Sequence, residues 1–173
     1  MRSMKRIIFI ALAIVGFTMQ ANAQKLGYIN TEKILSQLPE YVAAQQTLND
    51  LSAQYKEKVD SEFKVVEQMY NKYMAVKNTL SAAQQSKQEE AIIAKEKSAK
   101  ELRNLYFGQD GNMQKKSEEL LKPIMAKVQE AVDKIAKNEN FMIIFDLSVM
   151  QGVVYDNPQY DMSGKVLEMI SAK

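Results

Sequence analysis

PEYVAAQQTLNDLSAQYKEKVDSEFKVVEQMYNKYMAVKNTL, residues 39–80, opens a stretch running to Asn138 that has no proline between Pro39 and Pro123 and only two glycines, Gly108 and Gly111. Its apolar residues recur at alternating steps of three and four: Tyr41, Ala44, Leu48, Leu51, Tyr55, Val59, Phe63, Val66, Tyr70, Tyr73 and Leu80. That spacing predicts a helix with a narrow apolar seam, which wants one partner helix and leaves its other sides in water. A single rod of this length would reach about 150 Å at 1.5 Å per residue, so the helix is expected to fold back on itself. Gly108-Gln109-Asp110-Gly111 has turn composition but divides the stretch unequally. Asn78-Thr79-Leu80-Ser81 gives nearly equal arms, and Ser81 to Gln84 and Ser86 to Glu89 each match a capping box that could start a new helix. The tip is therefore placed near residues 78–87.

Equal arms matter because the strand candidates lie at the two ends of the chain. Downstream, Phe141-Met142-Ile143-Ile144-Phe145-Asp146 is apolar at both alternating faces, as in a strand buried on two sides, and Val153-Val154-Tyr155 after Gly152 reads as a second strand. Upstream, Lys25 to Asn30 is a short strand, followed by Thr31 as the cap of a brief helix through Ile34 and Leu35, with Pro39 and Glu40 starting the long helix. Asp161 is placed to cap a last helix carrying Met162, Val166, Leu167, Met169 and Ile170. The expected fold is α+β and mostly α: a long antiparallel helical hairpin projecting from a small strand-containing body formed by both chain ends. That body, residues 24–38 with 139–173, is small for an independent core. Its apolar positions Leu26, Tyr28, Ile29, Phe141, Ile143, Ile144, Phe145, Val153 and Tyr155 are expected to assemble copies of the chain into a homo-oligomer.

Residues 1–23 read as a cleaved secretory leader. Arg2, Lys5 and Arg6 precede an apolar run from Ile7 to Phe17, well short of the roughly 20 residues needed to cross a bilayer, and Ala21-Asn22-Ala23 places cleavage after Ala23. Without the leader, the 23 basic residues fall to one fewer than the 21 acidic ones. A near-neutral exported chain gives no case for nucleic acid as a partner. The absence of Cys removes disulfides, thiol chemistry and thiolate metal sites, and the absence of His removes the usual triads. No Gly-rich phosphate loop is present. The chain is therefore expected to be no enzyme and to take no cofactor.

Taken together, the order of these features resembles the Skp (OmpH-like) periplasmic chaperones of Gram-negative bacteria. The resemblance rests on the leader, the Gly27-Tyr28-Ile29-Asn30 strand running into Ile34 and Leu35, the long hairpin, Phe141 to Asp146, and Gly152-Val153-Val154-Tyr155 ahead of Val166-Leu167. It implies a periplasmic trimer whose strands join in a central body. Three hairpins would hang from it around a cavity that holds unfolded outer-membrane β-barrel proteins without ATP. It also implies that Gly108 to Gly111 lies within the returning helix. The better-known members are strongly basic and this chain is not, which weakens the expectation of lipopolysaccharide binding.

Two stretches of the hairpin depart from a plain seam. Two glycines inside a helix cost about 1 kcal/mol each relative to alanine, so Gly108 and Gly111 are candidates for a hinge that lets the arm splay. At the tip, Met69, Tyr70, Tyr73, Met74 and Val76 exceed what a two-helix seam can bury. Between Gln68 and Gln88 the only charges are Lys72, Lys77 and Lys87. Met adapts to many partners and Tyr adds area with a polar end, so Met69, Tyr70, Lys72, Tyr73, Met74, Lys77 and Lys87 are the candidate client-binding residues. The lysines are suited to acidic segments or weak contact with anionic lipid head groups. The plainer alternative packs Met69, Tyr70 and Tyr73 against Ile92, Ile93 and Ala99. A structural or adaptor coiled-coil protein of the cell envelope is the competing function.

Overall fold

The computed structural model describes residues 25–172; the leader reading of residues 1–23, with cleavage after Ala23, lies outside the described residues. Strand β1 (Lys25–Ile29) leads through helix α1 (Thr31–Ser36) into helix α2 (Pro39–Val76). A 3-10 turn at Lys77–Thr79 reverses the chain into helix α3 (Ala82–Phe107), then helix α4 (Asn112–Asn138), strand β2 (Phe141–Asp146), a short turn at Pro158–Tyr160 and helix α5 (Ser163–Ser171). The architecture is α+β and mostly α, a long antiparallel hairpin projecting from a small strand body built by both chain ends.

Local chemistry fixes the ends of these elements. Asn30, not the expected Thr31, caps α1: its side chain accepts from the Lys33 amide at 2.9 Å, while the Thr31 amide donates to Asp146 Oδ1 at 3.1 Å. Pro39 occupies the first turn of α2, where no amide hydrogen is needed. Ser81 and Gln84 form a reciprocal capping box that starts α3, and the Gln85 amide nitrogen donates to the Lys77 carbonyl at 3.0 Å and the Leu80 carbonyl at 3.2 Å. The reversal is thus fastened from both sides.

β1 and β2 pair in parallel, Leu26 opposite Ile143 and Tyr28 opposite Phe145, with an irregularity between Lys25 and Leu26. Gly27 has a steric reason: a Cβ there would lie 2.7 Å from the Phe141 ring. One core joins the root of the hairpin to this sheet. Ile29, Ile34, Leu35 and Leu38 meet Ala44 of α2, Ile124, Val128, Ala131 and Ile135 of α4, and Met162 and Val166 around α5. The buried Ser163 hydroxyl accepts from the Asn30 amide at 2.9 Å, and the Ser163 amide donates to Asp161 at 2.8 Å.

Three further expectations need correction. Val153-Val154-Tyr155 is not a strand: residues 151–157 form no ladder, and Val154 is 98% exposed. β-branched residues favour extension, but a strand needs a neighbour, and the sheet within one chain has two strands. Within one chain β2 leaves Met142, Ile143 and Phe145 exposed, the apolar side that the expected assembly would have to cover. The returning helix does not run through Gly108 to Gly111. It stops at Phe107 and restarts at Asn112, with Asp110 in the left-handed region at φ 57. Finally, Tyr70 leaves the seam and is 51% exposed. A straight helix drifts against a three-four repeat, and over successive turns the drift carries Tyr70 outward while Tyr73 stays in.

Candidate functional site

Three places bear on function: the tip of the hairpin, the gap in the returning arm, and the uncovered face of the body.

At the tip the candidate residues separate into two sets. Tyr73 belongs to the fold and not to a contact surface. It is 4% exposed, and its hydroxyl donates to Glu89 of α3 at 2.5 Å. That hydrogen bond, with burial second, pushes the phenol up to about 12. Lys77 completes the cluster, 4.0 Å from the Glu89 carboxylate and 5.5 Å above the Tyr73 ring. Tyr70, Met74 and Val76 are exposed, as are Lys72 and Lys87, and Met69 is half-buried. On α3, Ala99 is fully buried and Ile92 half-buried, as the packing alternative required, but Ile93 points out and is 64% exposed. On α2 the apolar arc therefore spreads to both flanks of the seam: Tyr70 and Met74 on one side, Val65, Met69 and Val76 on the other.

The gap between α3 and α4 is narrow and specific. Gly108 and Gly111 both have φ −72, so neither is there for a left-handed backbone. They are there for room: a Cβ on Gly108 would fall 2.4 Å from the Asn104 carbonyl oxygen, and one on Gly111 2.8 Å from that of Gly108. Just before the gap, Tyr106 stacks on Tyr55 of α2 with ring centroids 3.9 Å apart and planes within 2°. Phe107 meets both rings edge-on at 6.3 and 6.5 Å. This trio was not foreseen. Tyr55 was read only as a seam residue, and the aromatic pair abutting Gly108 was the available signal.

In the body, the expected assembly residues also divide. Ile29, Phe141 and Ile144 serve the chain's own core, and Tyr28 is buried beside Asp156. Burial first, then the Asp156 carboxylate, pushes the Tyr28 phenol up to about 12. Leu26, Ile143, Phe145, Val153 and Tyr155 are exposed. A groove of about 740 Å³ runs between β1 and the loop after β2, with Leu26, Phe145, Met150, Val153 and Tyr155 among its walls. Elsewhere in the body, no buried side-chain polar atom among the described residues lacks a partner. Burial raises the Asp146 carboxyl, but hydrogen bonds from Thr31 and Ser148 outweigh that and hold it below its ordinary value. Hydrogen bonds from Lys165 and then Lys25 likewise lower Glu139, tying α5 and β1 to the end of α4. Among the described residues there is no group of three or more carboxylates that could hold a metal ion, and no helix long and apolar enough to cross a membrane.

The family model for the outer membrane protein (OmpH-like) family matches residues 25–170, which takes in the hairpin and nearly all of the body just described. The chain belongs to the OmpH-like family. It is 26% identical over 175 residues to "Chaperone protein Skp" of Vibrio cholerae serotype O1, covering 98% of this chain and 99% of that one. Its fold is also that of a solved protein of Caulobacter crescentus CB15 described as an outer membrane chaperone (OmpH-like), with a TM-score of 0.66, 13% identity, and 90% of this chain and 88% of that one covered. The OmpH-like family is one of non-enzymatic chaperones, which accounts for hydrogen-bonded clusters that serve the fold and not a reaction.

Proposed function

We propose that this OmpH-like chain is an ATP-independent periplasmic holdase. It binds unfolded outer-membrane β-barrel proteins between its helical arms and prevents their aggregation. The observation that carries this reading is apolar surface on the arms that the seam does not use: Tyr70, Met74, Ile93 and Leu105 are each at least half exposed. Such side chains cost little when solvated singly, but along two arms they offer many weak contacts to an extended apolar client. Met69, Tyr70 and Met74 are the client-contacting residues of the tip, and Tyr73 is withdrawn from that set because its hydroxyl is engaged within the arm. Lys72, Lys77 and Lys87 add attraction to acidic client segments and weak contact with anionic lipid head groups, which falls with salt.

Assembly belongs to the same reading. Leu26, Ile143, Phe145, Val153 and Tyr155 leave an apolar body face that a second and third copy would cover, giving a homotrimer with its arms around a shared space. Gly108 and Gly111 serve as the hinge that adapts that space to the client. A structural or adaptor coiled coil would instead keep its seam filled to the tip and its outer faces polar.

The test is dilution of a urea-unfolded β-barrel protein into the mature chain at equimolar and lower ratios. Aggregation should be suppressed by the wild type and no longer suppressed when Met69, Tyr70 and Met74 are all serine, with helicity and light-scattering mass unchanged. No suppression by the wild type at any salt concentration would leave the structural coiled coil as the function. A stable folded monomer at micromolar concentration would remove the trimer.

A further inference from the structure

We propose that each arm bends at one level only, beside the gap at residues 108–111, and that the Tyr55–Tyr106 stack is the catch that holds it unbent. This deepens the hinge reading above and rests on it.

For a two-helix arm to bend, one helix must shorten or lengthen against the other, and an unbroken hydrogen-bond ladder resists that along its whole length. In the returning arm the ladder ends where the Gly108 amide donates to Asn104 at 2.8 Å and resumes where Lys115 donates to Gly111 at 3.1 Å. Between them one backbone bond remains, Gly111 to Gly108 at 3.0 Å. α2 passes this level as continuous helix, so it acts as the flexing member and the gap takes up the change in length. The returning side of the seam is also thinnest here: on that arm no apolar side chain is buried between Ala99 and Ile124, and on α2 none is buried between Leu48 and Val59. What remains across the arm at this level is the aromatic trio. Parallel rings 3.9 Å apart tolerate little tilt, so bending must part Tyr55 from Tyr106. On either side the arm is fastened: the root by the shared core, the outer part by the Glu62–Lys95 and Tyr73–Glu89 pairs.

The chain has no Cys, so paired spin labels can be placed freely. One pair spans the gap, K97C with K122C; the other lies within α2, A43C with K64C. Each is measured in assembled full-length mature protein in which labelled chains are diluted among unlabelled ones. Y106L and Y55L should each broaden the distance distribution across the gap while the α2 pair stays narrow. With no Trp in the chain, the near-ultraviolet dichroism of the stacked tyrosines should fall in both variants. Replacing Gly108 and Gly111 together by Ala should narrow the distribution, because the bulk of the two Cβ atoms excludes the present gap geometry. If that variant does not fold, the tyrosine variants still decide. A distribution that neither Y106L nor Y55L broadens overturns the proposal. Broadening in a protein that fails to hold clients leaves the joint standing and removes the holdase reading instead.

Discussion

The root of the hairpin and its outer part are made of the same helices and held in different ways. At the root, Ala44 of α2 and Ile124, Val128, Ala131 and Ile135 of α4 share one buried cluster with residues from β1, α1 and α5. Beyond Leu48 the buried apolar side chains of the arm are Val59, Tyr73 and Ala99, and the rest is half-buried side chains such as Leu51, Val66 and Ile92, the aromatic rings and single ion pairs. Burial stabilises at roughly 25 cal/mol per Å² of apolar surface, so most of the folding free energy resides at the root. The outer arm keeps apolar groups in water because no third element covers them. The body is thus held by its own contacts, while the outer arm keeps apolar surface that its own chain never satisfies.

The strongest way to break this comparison is to truncate one buried branched side chain in each part. Ile34 is fully buried in the root cluster, and Ile34→Ala should cost about 2–5 kcal/mol, seen as a large fall in urea midpoint at fixed protein concentration. Val59→Ala in the arm should cost about 1–2 kcal/mol. Equal losses would mean that the arm and root are one cooperative unit with no weak end.

A smaller effect separates the two parts by alkali. Tyr28 in the body and Tyr73 in the arm both titrate near 12, above the ordinary 10.0, so the fold favours their neutral forms. Their contribution is complete below pH 10 and is lost as the pH rises from about 10 to 12. Tyrosinate absorbance should show two late-titrating phenols, one of which disappears in Tyr73→Phe and the other in Tyr28→Phe. If Tyr73→Phe also brings the Tyr28 transition down, the tip cluster is coupled to the body and the division fails.

The smallest effect is on the acid side. Glu139 is held below its ordinary 4.5 by Lys165 and Lys25, so its contribution is present above that pH and is lost as the pH falls through the lowered value. Glu139→Gln should flatten the acid limb of the urea-midpoint profile against pH relative to the wild type. A profile identical to that of the wild type would place Glu139 among ordinary surface charges.

What could be read in the chain follows the same division. The alternation of Leu48, Leu51 and Tyr55, the strand at Phe141 and the caps around Ser81 are local signals, and local structure obeys them. Val153 to Tyr155 shows why a strand is less legible: β-branched residues announce extension without naming a neighbour, and the two-stranded sheet of the chain supplies none. Gly108 and Gly111 announced a weak helix, but the complete break depends on carbonyl oxygens approaching within the reach of a Cβ, which spacing does not reveal. Tyr70 and Tyr73 are three apart and chemically alike; only the accumulated rotation of the helix and the position of Glu89 across the seam tell which one turns inward.

The parallel pairing of β1 with β2 carries a consequence for how the protein comes into being. The connection between these strands is the entire hairpin, so their ladder joins residues very remote in sequence. Helices form in about a microsecond from local contacts, while contacts remote in sequence come late. The arms can therefore zip from the capped reversal at Ser81 downward and deliver the two strands to each other as their last act. A newly exported copy would have its arms before it has its body, and until the sheet closes it is itself an unfinished chain with apolar strands in water.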